Sequence, residues 1–323
     1  MDDKIIKRAN EGGISSEEVA KKYIAEYFTD AHALGVREAT VHPKATENIQ
    51  QIIDLITTLI DKGYAYEVNG DVYYRTLKFK DYGKLSHQPI EDLQSGARID
   101  VNDIKENPLD FALWKAAKPG EPFWPSPWGN GRPGWHIECS VMSKRYLGEE
   151  IDIHAGGEDL IFPHHENEIA QSEAANDKPF AKYWMHNAFL NIDNRKMSKS
   201  LGNMYTLADL DKLGHKPSAV RYVLAGGYYR RPLNFTLSSL EDAKAALNRL
   251  SKFDTQLRNA SGTDSVPSYE EFCAAPPEPG IFQPAWDSLN DDLNTPEALG
   301  HVFSAIRKAD VPSLTPEEAR RMR

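Results

Sequence analysis

The chain has 323 residues, a formal net charge of -10 and a hydrophobic share of 40%. That length exceeds what one small core serves, so two or more packing units are expected. The acidic balance excludes a chain-wide basic field for nucleic acid, and leaves RNA contact to local clusters such as Arg195-Lys196 with Lys199, or Arg230-Arg231. There is no apolar run of about 18 residues, which excludes a membrane-spanning helix. The opening MDDKIIKRANEGG is charged and lacks the apolar stretch of a secretory signal. Cys139 and Cys273 are the two cysteines, too few for a disulfide framework and suited to a reducing cytoplasm, so a cytoplasmic location is expected.

In chain order, residues 15 to 28 read as a helix, with Ser15 and Glu18 in a capping-box pattern and Val19, Tyr23 and Ile24 on one side. Residues 46 to 62 read as a second helix: Ile49, Ile52, Ile53, Ile56, Leu59 and Ile60 recur at helical spacing, and Gly63 stops it. Asn69-Gly70 between alternating apolar runs predicts a hairpin. Residues 111 to 135 set Trp114, Trp124, Trp128 and Trp135 among glycines and prolines. They read as an irregular loop, either packed by its own aromatics or lining a pocket. EIDIHAGGEDL reads as a short strand ending in a Gly-Gly turn, residues 163 to 176 as a helix with Pro163 in its first turn, and YWMHNAFLNID as a buried strand. Strand, helix, strand in that order predicts an α/β unit with a parallel sheet, whose ligands sit at the carboxyl ends of the strands. Ser238 and Glu241 open a long helix bearing Leu240, Leu247, Leu250 and Leu257. Residues 259 to 284 are rich in Ser, Pro and Gly and read as a flexible connection. Thr295-Pro296-Glu297 opens a last helix, with Leu299, Val302, Phe303 and Ile306 on one face.

Two clusters carry chemistry. In FPHHENEIAQ, His164 and Glu168 are i and i+4 and share a helix face, while His165 and Glu166 point elsewhere. Such a pair is common on a solvated surface. A zinc centre wants three or four ligands, and Cys139 in GWHIECS is the soft candidate for a third. Spacing leaves both readings open. DNRKMSKSLGN, residues 193 to 203, places two lysines and two serines on a short loop after a buried strand. Such a loop suits a polyphosphate, and it reads equally as a solvated Lys/Ser loop.

Lys196-Met197-Ser198-Lys199-Ser200 matches letter for letter the KMSKS signature of class I aminoacyl-tRNA synthetases. PGWHIECSVMS, DIHAGGEDLIFPHHENEIAQSEA, VRYVLAGGYYRRPLNFT and LNDDLNTPEAL resemble segments of the cysteinyl-tRNA synthetases, and the resemblance runs along nearly the whole chain. It implies an α/β fold: an incomplete Rossmann-like catalytic domain with a connective insertion over residues 1–205, a stem-like segment and long helix over 206–258, the flexible connection 259–284, and the start of a helical tRNA-binding domain over 285–323. It implies a zinc ion (Zn2+) on Cys139, His164 and Glu168 that binds the thiolate of substrate cysteine. Trp135 and His154 resemble residues lining that pocket, and Gly156, Gly157 and Asp159 resemble the segment that faces adenosine. Lys199, with Lys196 supporting, is the expected phosphate contact. The implied substrates are L-cysteine, tRNA(Cys) and ATP with Mg2+.

The resemblance breaks in the first part of the fold. No His-x-Gly-His motif matches the second class I signature, and the early cysteine that completes the family's zinc site is absent. The expectation is therefore a chain that starts mid-domain, ends before its tRNA-binding region is complete, and is impaired without an N-terminal segment or complementing fragment. The alternatives are a non-catalytic zinc- or RNA-binding fragment, and a cysteine ligase acting on an amino sugar.

Overall fold

The computed structural model describes residues 3–89, 104–197, 201–266, 268–274 and 278–323. They pack as two units, one of residues up to 29 together with 37–186, the other of 30–36 together with 187–323.

In the first unit, α1 (Asp3–Gly12) precedes α2 (Ser16–Ala33). The α2 cap forms as its sequence predicts: the Glu18 amide donates to Ser15 Oγ, and the Ser15 amide donates to Glu18 Oε2. The helix runs on to Ala33, and of its apolar side only Val19 is buried; Tyr23 and Ile24 are exposed. Helix α3 (Ile49–Asp61) buries Ile52, Ile53, Leu55, Ile56 and Leu59. Each such side chain withdrawn from water contributes about 1.5–3 kcal/mol.

The predicted hairpin follows as β1 (Ala65–Val68) and β2 (Asp71–Tyr74), antiparallel with Val68 opposite Asp71. Asn69 and Gly70 both take positive φ, 55° and 86°, as a tight two-residue turn requires. Residues 111 to 135 depart from the irregular loop expected of them. Two strands emerge there, β3 (Phe111–Ala116) and β4 (Gly131–Pro133), and extend the hairpin into a sheet of order β1-β2-β3-β4. Trp114 is fully buried, flanked by Val72 on β2 and Pro133 on β4. A Cβ at Gly131 would stand 2.2 Å from Trp114 Nε1, so the close approach of the two strands needs a glycine there.

Helix α4 (Trp135–Leu147), strand β5 (Ile151–Gly157), helix α5 (Glu166–Asn176) and strand β6 (Ala181–Asn187) complete the unit. β5 and β6 form a two-stranded sheet. Ile52, Trp114, Ile137, Ile169 and Phe180 share one core, which joins α3, the four-stranded sheet, α4 and α5. Lys62 ties the end of α3 to the end of α5, donating to the carbonyls of Ala174 and Ala175 and to Asp177 Oδ2.

The second unit holds β7 (Leu190–Ile192), β8 (Arg195–Lys196) and β9 (Leu233–Phe235). β7 pairs antiparallel with β8 and parallel with β9. Around them lie α6 (Leu207–Lys212), α7 (Pro217–Ala225) and the long α8 (Leu237–Ser261), which is closed by Gly262 at φ 67°. α8 buries Leu240 and Ala243 against the strands, and Phe253 and Leu257 in a second cluster with Val311 and Ala319. The stretch expected as a flexible connection contains a short helix, α9 (Tyr269–Ala274). The chain continues through α10 (Gln283–Asn290), α11 (Thr295–Lys308) and α12 (Pro316–Met322). Among the described residues no helix is long and apolar enough to cross a membrane.

Candidate functional site

Between β5 and α5 the chain makes a 3-10 turn, Glu158–Leu160, and then a wide turn, Ile161–His165, in which Phe162 is extended at φ -134° and ψ 131°. The two histidines end this turn. His164 Nε2 and His165 Nε2 both lie 3.8 Å from Glu168 Oε2, so the expectation that His165 turns away is corrected. His165 stands three residues before Glu168 and His164 four, and both spacings share one face of a helical backbone, so both rings reach one carboxylate.

Helix α4 supplies the third element. The donor atoms of Cys139, His164 and Glu168 lie within 4.8 Å of one another, and so do those of His154, His165 and Glu168. Glu168 is fully buried. Its Oε2 meets His154 Nε2 at 2.8 Å, and its Oε1 has no hydrogen-bond partner. A buried carboxylate oxygen left without a donor is costly unless a cation completes it.

The imidazoles around it are poised as neutral ligands. Burial, reinforced by neighbouring histidines, pushes His165 down to about 3, and burial with His164 pushes His136 down to about 3. Burial also lowers His164. His136 Nδ1 and His164 Nδ1 meet at 2.8 Å, so that nitrogen of His164 is engaged and Nε2 faces Glu168. His165 Nδ1 meets His186 Nε2 at 2.8 Å. Burial, then the Glu168 charge, pushes the Cys139 thiol up. A nearby dication would reverse that effect and favour the thiolate. The donor set of sulfur, imidazole and carboxylate suits zinc.

Trp135, the first residue of α4, is exposed and stacks on the His164 ring. Gly156, at the end of β5, lies against the His165 ring. Gly157 borders the side chain of Asp159, which sits in the 3-10 turn. Glu166, also fully buried, accepts the amides of Leu85 and Ser86 at 3.2 and 2.9 Å.

The lysine loop belongs to the second unit. Lys196 is exposed on β8, pairs across from Asn191, and accepts Asn203 Nδ2 at its carbonyl. Met197 packs against the core of α6, α7 and α8. Lys199, with Ser198 and Ser200, lies outside the described residues.

The sequence profile described as "tRNA synthetases class I (C) catalytic domain" matches residues 1–245, and that of the DALR domain matches residues 286–319. The cysteine–tRNA ligase of Clostridioides difficile is 57% identical over 309 residues, covering 95% of this chain and 66% of the relative. The cysteine–tRNA ligase of Lachnospira eligens is 54% identical over 319 residues, covering 96% and 67%. The chain belongs to the cysteine–tRNA ligase family. It spans about two thirds of the length of these relatives.

Solved structures agree on the fold of this ligase family. The methionyl-tRNA synthetase of Mycobacterium tuberculosis, in complex with methionyl-adenylate, aligns with a TM-score of 0.65 at 13% identity, covering 99% of this chain and 77% of that one. A putative arginyl-tRNA synthetase from Campylobacter jejuni aligns at 0.53 and 12% identity, covering 95% and 64%. The α/β class I synthetase architecture expected from the sequence is therefore present. Sequence reasoning missed His136, His186 and Trp184, which pack around the histidines of this cluster. His136 stands three residues before Cys139 on α4, a spacing that would have flagged it. His186 sits on a strand with no local signal.

Proposed function

We propose that the protein acts in ATP-dependent activation of cysteine and its transfer to tRNA(Cys), in the cytoplasm, with a zinc ion held by Cys139, His164 and Glu168. One observation carries the metal reading: buried Glu168 Oε1 lacks a donor within a cluster of sulfur, imidazole and carboxylate ligands. The second cluster, His154 with His165 and Glu168, is less suited, because His154 Nε2 is already bonded to Glu168 Oε2.

Zinc in this donor set would supply a preference for thiolate over hydroxyl, which shape alone gives poorly between cysteine and serine. The chain's own residues orient the ligands. His154 holds Glu168 Oε2, His136 fixes which nitrogen His164 presents, and Trp135 walls one side through its stack on His164.

In the first step an oxygen of the cysteine carboxylate attacks the α-phosphorus of ATP, which arrives with Mg2+. The bond to the bridging oxygen breaks, and pyrophosphate leaves. In the second step a terminal ribose hydroxyl of the tRNA attacks the acyl carbon, AMP leaves, and the hydroxyl proton passes to solvent. Lys199 and Lys196 are assigned to the phosphates as point charges, and Gly156, Gly157 and Asp159 to the adenosine side. The DALR-matched helices are assigned to the tRNA.

The test is spectroscopic and catalytic. Loaded with cobalt, the protein should show its thiolate-to-metal band, from Cys139, intensify on adding cysteine and stay unchanged on adding serine. Equal responses would overturn the thiolate reading. Cysteine-dependent exchange of labelled pyrophosphate into ATP tests the activation step, and without a His-x-Gly-His motif it should be weak or absent. Consumption of an amino-sugar acceptor in place of tRNA would overturn the assignment of the second step.

A further inference from the structure

A turn far along the chain from the metal cluster gathers an unusual number of donors. Both oxygens of Asp292 are used. Oδ2 accepts from the Tyr228 hydroxyl at 2.7 Å and from Arg230 Nε, and Oδ1 accepts from the Tyr229 hydroxyl at 2.6 Å and from an Arg230 terminal nitrogen at 3.2 Å. A single exposed ion pair contributes little. Four donors on two rings and a planar guanidinium fix orientation as well as distance. Asp292 and Leu293 both sit at φ 54°, in the left-handed region that non-glycine residues enter at a cost. The backbone there is held rather than relaxed.

The two sides of this contact lead to different places. Asp292 lies in the turn between α10 and α11. Beside it, Thr295 Oγ1 donates to the Gly227 carbonyl at 3.1 Å. Tyr228, Tyr229 and Arg230 lie in the segment that enters β9. The Tyr229 carbonyl accepts the Ala188 amide at 2.7 Å, and the Leu233 amide donates to the Phe189 carbonyl at 3.0 Å. Those bonds seat the start of β7, which pairs with β9 on one edge and with β8 on the other. β8 ends at Lys196.

We propose that Asp292 is a positioning residue for the phosphate loop, clamping the strands that carry Lys196 to the α10–α11 helix pair. The proposal rests on the reading of the Lys196 loop as a phosphate holder. Through this clamp, the DALR-matched helices fix the root of the loop.

The experiment compares the intact chain with Asp292→Asn and with the double variant Tyr228→Phe/Tyr229→Phe, and uses Lys196→Ala as a control. Amide hydrogen exchange is followed over residues 188–197, and ATP affinity is measured by calorimetry with Mg2+. Loss of the clamp should speed exchange from Asn191 to Lys196 roughly tenfold, leave α3 and α5 unchanged, and weaken ATP several-fold. Lys196→Ala should weaken ATP without changing exchange. Faster exchange confined to residues 226–232 and 291–294 would overturn the proposal, as would unchanged ATP affinity in variants whose strands have loosened. If Asp292→Asn loses protection everywhere, the double tyrosine variant decides, since it removes donors and leaves the charge pair. A wild-type chain with no ATP affinity would sink the phosphate-loop reading instead, while exchange would still report whether the clamp holds the strands.

Discussion

The Trp135 indole lies on the His164 imidazole with 4.1 Å between ring centroids and 20° between planes, although 57% of Trp135 remains exposed. A largely exposed tryptophan whose covered face lies on His164, and less closely on His136, acts on the orientation of those rings. Trp135→Ala should weaken zinc binding by roughly 2- to 10-fold, the worth of one aromatic pair, and Trp135→Phe should recover part of it. Chelator competition reads the affinity directly. An unchanged affinity in the alanine variant would remove Trp135 from the metal site's support.

Glu168→Gln should act in opposite directions with and without metal. In metal-free protein it replaces a buried carboxylate, one oxygen of which has no donor, by a neutral amide of the same shape. Thermal stability there should be unchanged or raised by about 0–2 kcal/mol. With zinc, the same variant should lose more than about 100-fold in affinity. Calorimetric melts with and without zinc separate the two effects.

Gly156 bears on the same cluster from β5. A Cβ there would stand 2.8 Å from His165 Cε1 and 3.1 Å from Leu160 Cδ1. Gly156→Ala should cost about 1–3 kcal/mol, because the His165 ring is held by His186 and cannot swing aside freely. In a His165→Ala background the cost should largely disappear, a coupling visible in a double-mutant cycle of denaturant melts.

The Asp292 carboxyl gives a pH dependence of defined sign. Arg230, then Tyr229 and Tyr228, hold it well below the usual carboxylate range. A carboxyl with a lowered folded value stabilises fully above the unfolded value of about 3.9 and loses that contribution as pH falls through its folded value. The difference in 226–232 amide protection between the wild type and Asp292→Asn should therefore persist at neutral pH and shrink below about pH 4. A difference that grew on acidification would contradict this account.

Local chemistry was legible in the sequence, and long-range pairing was not. Asn69-Gly70 announced the hairpin because its turn needs positive φ at adjacent positions. The α2 cap was readable because Ser15 and Glu18 sit three residues apart. β3 was hidden because its partner lies some forty residues earlier, Trp114 opposite Val72, and the stretch that follows it carries the tryptophans and prolines of a loop. In the candidate metal cluster, Cys139, His164 and Glu168 were legible as ligand types, and resemblance to a family chose them over a solvated helix surface. Their mutual approach depends on α4 lying against α5, which no local spacing encodes. His165 was misjudged because the i,i+4 partner His164 was considered and the equally close i,i+3 spacing of His165 to Glu168 was not. Lys199, the residue most firmly implied for phosphate, falls outside the described residues.

Gln171 is fully buried on α5, and its amide nitrogen donates to the His136 carbonyl at 3.0 Å and to Ser140 Oγ at 2.9 Å, both on α4. The helices that present Cys139 and Glu168 are thus stitched together by a neutral amide that needs no ion. If this cluster takes a cation, its ligand-bearing helices are already held together by this amide. Uptake of a cation should then be a rigid event: little heat-capacity change, no gain of helical circular dichroism, and a rate set by dehydration of the incoming ion rather than by rearrangement of the chain.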